Sequence, residues 1–244
     1  MMRIFVVGTD TDCGKTQVCC ALLRAARNAG FRVAPFKPAV SGGSGPQSDH
    51  QRLLRASGLP AKHLGLVAPL RYATPIAPGI ADNRDAFLSP AQHLSVDTSS
   101  VISPLTRARA ALARLERHTS PDLVVIEGAG GLHVPMPGGT WLPAWIEEFG
   151  ARPLVVGRLG LGTINHTLLT IEALRSRGMP PFGFVLSQTQ PGEDPSRADN
   201  PEVIAAATGL ACLGILPHDH PEDGTGPDWF RPELWSRIGL TGNS

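Results

Sequence analysis

Gly8-Thr9-Asp10-Thr11-Asp12-Cys13-Gly14-Lys15-Thr16 is the stretch that decides the fold. It has the phosphate-loop spacing, a glycine, four free positions, then Gly-Lys-Thr. Before it, the apolar run Ile4-Phe5-Val6-Val7 predicts a buried strand. After it, Gln17 to Ala29 predicts a helix, with Val18, Leu22, Leu23 and Ala26 on one stripe and Gly30 as the stop. The motif thus stands between strand and helix, the context that gives it meaning. Backbone N–H groups of such a turn converge on phosphate, and the helix N-terminus adds partial positive charge. Lys15 is then expected to reach the terminal phosphates, and the Thr16 hydroxyl to ligate Mg²⁺.

Working outward, apolar runs and helical patterns alternate, which predicts an α/β fold with a mostly parallel central sheet covered by helices on both faces. Further strands are expected at Phe31 to Phe36, Val67 to Arg71, Leu123 to Ile126, Pro153 to Val156, Phe182 to Leu186 and Leu213 to Leu216. Further helices are expected at Ser48 to Ala56, Leu105 to Arg117, Pro143 to Phe149, Gly162 to Arg177 and Pro201 to Thr208. Residues 41–46 read as a flexible loop, and 73–104, rich in Pro, Ser and Asp, carry no clear pattern. The tail divides into a loop at 218–228 and a short segment at 229–240, where Trp229, Phe230 and Trp235 are expected to dock the C-terminus. At 244 residues the chain fits one phosphate-loop domain, 1–244, with a core of its own.

Bulk properties narrow the partners. A net charge of +1 gives no electrostatic footprint for nucleic acid or an anionic membrane, and no apolar run has membrane-spanning length. With no signal-type leader, a cytoplasmic protein is expected. Cys13, Cys19, Cys20 and Cys212 form no C-x-x-C pair, so neither zinc nor a redox dithiol is indicated. Cys13, inside the phosphate loop, reads as an accessible thiol. Lys15, Lys37 and Lys62 are the three lysines among 22 basic residues, and two of them fall in the glycine-bounded N-terminal segments, where a compact ammonium would face phosphate.

Carboxylates complete the expected site. Glu127 follows an apolar strand and precedes Gly128-Ala129-Gly130-Gly131, a glycine turn at a strand's C-terminal end, where open α/β sheets bind ligands. Asp49 opens a helix after Ser48. With Thr16 they form the oxygen set that Mg²⁺ prefers beside phosphate. Lys37 ends the second expected strand and reaches the same sheet edge. Both Lys15 and Lys37 are expected at a solvent-open crevice. Gly160 to His166 lies between strand and helix as an anion-accepting helix start.

These residues together resemble the dethiobiotin synthetase family. The matches are Gly8 to Thr16, Lys37-Pro38-Ala39-Val40-Ser41-Gly42, Ser48-Asp49, Glu127 to Gly131, Gly162-Thr163-Ile164-Asn165-His166 and Gly214-Ile215-Leu216-Pro217, in family order over residues 2 to about 217. The resemblance implies an ATP- and Mg²⁺-dependent cyclo-ligase. Its substrate is 7,8-diaminononanoate, one amine of which takes up CO₂ or bicarbonate as a carbamate. ATP phosphorylates the carbamate, and the second amine closes the ureido ring as phosphate leaves. It implies catalytic roles for Lys15, Lys37, Thr11 and Ser41. Nucleotide contacts are implied for Asp12, Cys13, Gly14, Lys15, Thr16, Gln17, Glu127, Ser187, Gln188, Leu216 and Pro217. Thr16, Asp49 and Glu127 are the expected metal ligands. The resemblance implies that substrate is held by Thr11, Lys37 and Ser41, and by Gly162, Thr163, Ile164 and Asn165 of the partner in a homodimer. Three positions depart from the family: Gly79 replaces a His, Pro143 stands near an acidic position, and Ser187-Gln188 replaces an Asn-led pair that contacts the base. The last predicts relaxed base selectivity, with other nucleoside triphosphates serving beside ATP.

Two other readings compete. One is a phosphate-loop amide ligase of the cobyrinate-synthetase type, which would be expected to bring a glutaminase segment that these residues do not suggest. The other is a partitioning-type switch ATPase, which would carry an extra lysine where this chain has Thr9-Asp10-Thr11.

Overall fold

The computed structural model describes residues 1–88, 103–220, 229–230 and 233–240. Residues 89–102 of the 73–104 stretch, and 221–228 of the expected tail loop, lie outside the described residues.

The chain runs β1 (Met2–Gly8), α1 (Lys15–Asn28), β2 (Val33–Phe36), β3 (Ala39–Ser41), α2 (Asp49–Ser57), α3 (Leu64–Val67) and β4 (Leu70–Tyr72). Then come α4 (Pro78–Asn83), α5 (Asp85–Leu88), α6 (Pro104–Thr119), β5 (Leu123–Gly131), β6 (Pro135–Met136), β7 (Thr140–Trp141) and α7 (Leu142–Glu148). Finally there are β8 (Arg152–Arg158), α8 (Thr163–Ser176), β9 (Phe184–Ser187), α9 (Asn200–Thr208), β10 (Cys212–Leu216) and α10 (Glu233–Arg237). Six strands form one sheet in the order β10-β9-β8-β1-β5-β2, and every pairing in it is parallel. All six C-terminal ends therefore meet one edge.

Alternation along the strands sends side chains to two separate cores. Phe5, Val7, Phe36, Val124 and Ile126 pack under α6, α7 and α8 with Leu112, Leu115, Trp145 and Ile171. Ile4, Val6, Leu123, Val125 and Val156 pack under α1 with Val18, Cys19, Leu22 and Leu23, and here Phe230, Leu234 and Ile238 of the tail close the layer. The docking expected of the tail aromatics is seen: Phe230 is buried and bridges Gly214, and Trp235 lies 6.1 Å from the Phe31 ring.

Three expectations change. Val67 to Arg71 is not one strand; α3 ends at Val67 and β4 begins at Leu70. The second strand starts at Val33. The glycines after Glu127 do not turn away but continue β5 to Gly131, which pairs with Gly8 across a register shift in β1. Having no side chains, they let β5 lie close against the phosphate loop.

Candidate active site

The phosphate loop bridges β1 and α1. Gly14 caps the helix at φ 94°, with no side-chain cap, so first-turn N–H groups remain for a ligand. A Cβ there would meet Ser187 Oγ at 2.4 Å, so the position demands glycine on both counts. Asp12, at φ 54°, is held in the left-handed region that a non-glycine residue seldom adopts, a strain typical of ligand-binding loops.

Beside the loop a cleft of about 670 Å³ opens at the C-terminal edge of the sheet. Thr11, Asp12, Gly14, Lys15, Thr16, Gln17, Lys37, Ser41, Asp49 and Glu127 all line it, so most of the expected site converges from four segments. Both lysines line this cleft as expected, but their side chains are more enclosed than a solvent-open crevice implies. Lys15 is 7% and Lys37 5% exposed, because the loop folds over one and β5 and α2 enclose the other. Lys15 Nζ donates to the Asp10 carbonyl at 2.7 Å. Lys37 Nζ lies 2.5 Å from Glu127 Oε1 and 2.8 Å from Asp49 Oδ2. Burial works against the Lys37 ammonium, but Glu127 and then Asp49 outweigh it and hold its pKa well above the ordinary lysine value. Burial likewise opposes the Asp49 carboxylate, and Lys37 overcomes it, so the Asp49 pKa falls below its usual range. The Thr16 hydroxyl donates to Glu127 Oε1 at 2.8 Å, and its nearness adds to the lowering of the Asp49 pKa.

This oxygen set suits a hard divalent cation. Glu127 is 1% exposed, and its Oε2 is buried with no hydrogen-bond partner among the described residues. An orphaned carboxylate oxygen beside a hydroxyl and a second carboxylate fits a Mg²⁺ that completes its shell from phosphate and water.

The structure does not bring every expected residue here. Cys13 is fully buried rather than accessible, and its thiol donates to the Val156 carbonyl at 3.3 Å, tying the loop to β8. Ser187 is buried under Gly14, while the Gln188 amide donates to the Gln190 carbonyl at 3.3 Å; neither lines the cleft. Leu216 and Pro217, at the end of β10, also lie off the lining. Gly162, Thr163, Ile164 and Asn165 sit at the start of α8, away from this cleft. Sequence reasoning missed Arg52, one turn past Asp49 on α2, and Thr189, two residues past β9. Helical spacing could have found Arg52; nothing in the sequence marks Thr189.

The departure at Gly79 has a steric reason. A Cβ there would lie 2.6 Å from the Pro135 carbonyl carbon and 2.7 Å from Met136 backbone atoms, so α4 rests directly on β6. No histidine fits without moving that backbone.

Comparison with known proteins agrees with this architecture. A family model of an AAA domain matches residues 2–224. The chain is 43% identical to an ATP-dependent dethiobiotin synthetase of Anaeromyxobacter dehalogenans, over 89% of this chain and 90% of that protein. It is 32% identical to the enzyme of that name from Tolumonas auensis, over 90% of this chain and 92% of that protein. Among solved structures, chloroplast FtsY from Physcomitrella patens aligns with a TM-score of 0.52 at 14% identity, covering 91% of this chain and 60% of that one. FtsY from Mycoplasma mycoides gives 0.51 at 15%, covering 98% and 66%. At such identities these two speak for the phosphate-loop fold alone. Identity above 30% along nine-tenths of both chains says more: this protein belongs to the dethiobiotin synthetase family.

Proposed function

We propose that this protein is an ATP- and Mg²⁺-dependent cyclo-ligase that converts 7,8-diaminononanoate, CO₂ and ATP to dethiobiotin, ADP and phosphate. The observation that carries the reading is the buried cluster of Lys15, Thr16, Lys37, Asp49 and Glu127 against the phosphate loop. One amine adds to CO₂, forming the N–C bond of a carbamate and losing a proton. The carbamate oxygen attacks the γ-phosphorus and ADP departs. The second amine then attacks the carbonyl carbon, closes the ring and expels phosphate.

Each step gathers negative charge on oxygen, so fixed cations and N–H donors do most of the work. Lys15 would leave the Asp10 carbonyl for the terminal phosphates. Lys37 would offer its ammonium to the oxygens on which charge builds. Thr11 and Ser41 would orient carbamate or phosphate by hydrogen bonds, with Asp12 beside the reacting groups. Thr16, Asp49 and Glu127 would hold Mg²⁺, which when bound neutralises the triphosphate. Lys37 pairs with these same carboxylates, so their engagement by a cation would leave the Lys37 ammonium available to the carbamate.

The partner's Gly162 to Asn165 would receive the substrate carboxylate in a homodimer. Leu161 (90% exposed) and the exposed Leu169, either side of that helix start, support a covered face. Base selectivity would be relaxed: with Ser187 buried and Gln188 turned to Gln190, CTP and GTP should serve within about tenfold of ATP.

The test is release of phosphate and formation of a species of dethiobiotin mass, measured with each component omitted in turn. Release that persists unchanged without the diamine would instead favour the switch-ATPase reading.

A further inference from the structure

We infer that the Thr189 hydroxyl holds the nucleoside end of the bound nucleotide, a role that position 187 cannot fill in this chain. The inference rests on the nucleotide reading above and follows from the direction in which the cleft is charged. Lys37, Asp49 and Glu127 all lie toward β5 and β2. Lys15 and the metal-ligating Thr16 address the terminal phosphates, so that side is the γ end. The nucleoside must trail the other way, past β8 toward β9.

On that side the phosphate loop itself closes one position. The Ser187 side chain is pressed beneath Gly14, where a Cβ would be 2.4 Å from its Oγ, and Ser187 is buried. Gln188 donates its amide to Gln190 and its backbone N–H to the Leu216 carbonyl at 2.8 Å. Thr189 is the next residue, half-buried and on the cleft wall. Among the described residues its hydroxyl has no hydrogen-bond partner. Gln17 stands near, its Oε1 3.4 Å from where a Gly14 Cβ would be, and also lines the cleft.

A threonine hydroxyl both donates and accepts, and its proton rotates to suit. It can therefore meet the edge of any nucleoside, which gives affinity with little choice of base. That is the behaviour expected of a chain whose position 187 is out of reach.

The experiment compares two probes, Mg·ATP and Mg·tripolyphosphate, in competition with a fluorescent nucleotide for wild type, Thr189→Val and Thr189→Ser. The second probe has the phosphates and no nucleoside. The expected result is ATP weakened roughly 3- to 10-fold in Thr189→Val, the range for one hydrogen bond, with tripolyphosphate unchanged and Thr189→Ser close to wild type. Thr189→Ala serves as a second variant if valine disturbs the loop. Equal weakening of both probes, or of neither, overturns the role of Thr189 and leaves the enzyme reading intact. A wild type that binds neither probe overturns both. One that binds both probes yet never converts the diamine overturns only the reaction.

Discussion

Helices α1 and α8 begin on the same device, a left-handed glycine closing the turn that leaves a parallel strand: Gly14 at φ 94° after β1, and Gly162 at φ 88° after β8. Neither has a side-chain cap, so both leave first-turn N–H groups for another partner. Their surroundings are opposite. Around α1, β5 supplies Glu127 and the end of β2 supplies Lys37, both buried. Around α8, Leu161 stands in solvent and its N–H donates to Asp194 Oδ2 at 3.0 Å. A Cβ at Gly14 would strike Ser187, whereas at Gly162 it would meet open space. The backbone turn is thus common property, and the neighbouring strand ends decide what it binds. Within one chain α8 starts off the cleft lining, and under the homodimer proposed above a second copy would bring it there.

The sharpest test of this contrast is the charge at α1. Lys15→Ala should lower turnover about 10³-fold or more, since it removes a cation from the transferring phosphoryl group. Its melting temperature should change little, because Lys15 is held by a backbone carbonyl and no carboxylate is left behind. Lys37→Ala should fail on both counts. It strands Glu127 in the interior, and breaking a buried pair from one side costs about 3–5 kcal/mol. Phosphate release and thermal melting separate the two variants. A stable Lys37→Ala would mean that Glu127 is better solvated than its burial implies.

Glu127→Gln comes next. It keeps the shape and the Thr16 contact but removes the charge that faces Lys37 and the cation site. The Mg²⁺ concentration giving half-maximal activity should rise roughly tenfold or more, at least the loss that follows when a group merely supporting a metal ligand is removed. An unchanged titration would return Glu127 to a structural partner of Lys37.

Much of this was legible in the sequence, and the physical reason is that backbone-driven features announce themselves. The phosphate loop needs glycines at fixed places, parallel strands need unbroken apolar runs, and a carboxylate at a strand's end needs only the strand. Lys15, Thr16, Lys37 and Glu127 announce themselves that way, whereas Asp49 opens a helix and joins the set only beside Thr16 and Glu127. The burial of the lysines was not legible, because it depends on β5 continuing through Gly128 to Gly131 and on how α2 settles over Lys37. Ser187 and Gln188 were assigned by their place in the chain; that Ser187 lies beneath Gly14 is a contact between distant segments. Gly79 is similar, since only the fold shows Met136 backbone pressed against it.

At α8 the effect should be smaller and confined to the diamine. Gly162→Ala adds a left-handed strain of about 1–2 kcal/mol and no clash. Reorienting the helix start should raise the diamine KM several-fold and leave the nucleotide Kd unchanged. Leu161→Arg should shift light scattering toward monomer with the same loss of diamine affinity. Loss of nucleotide binding in either would erase the distinction between the two helix starts.

The least effect is expected at the point where the two turns touch. Arg158, at the end of β8, places Nη2 3.8 Å from Oδ2 of Asp10 in the phosphate loop, with side chains 43% and 54% exposed. An exposed pair at that separation contributes about 0–1 kcal/mol, because water already solvates both charges and ordering two long side chains has an entropic cost. At physiological ionic strength screening trims it further. Arg158→Ala should therefore shift melting by no more than roughly 2–4 °C, the change that 1 kcal/mol makes in a chain of this size. Nucleotide affinity should stay within about twofold, at low and at high salt alike, for a guanidinium committed to neither ligand. A tenfold loss of ATP affinity that deepens as salt is lowered would mean that Arg158 reaches the phosphates. The α8 turn would then share the ligand of α1 within a single chain, and no second copy would be needed to explain it.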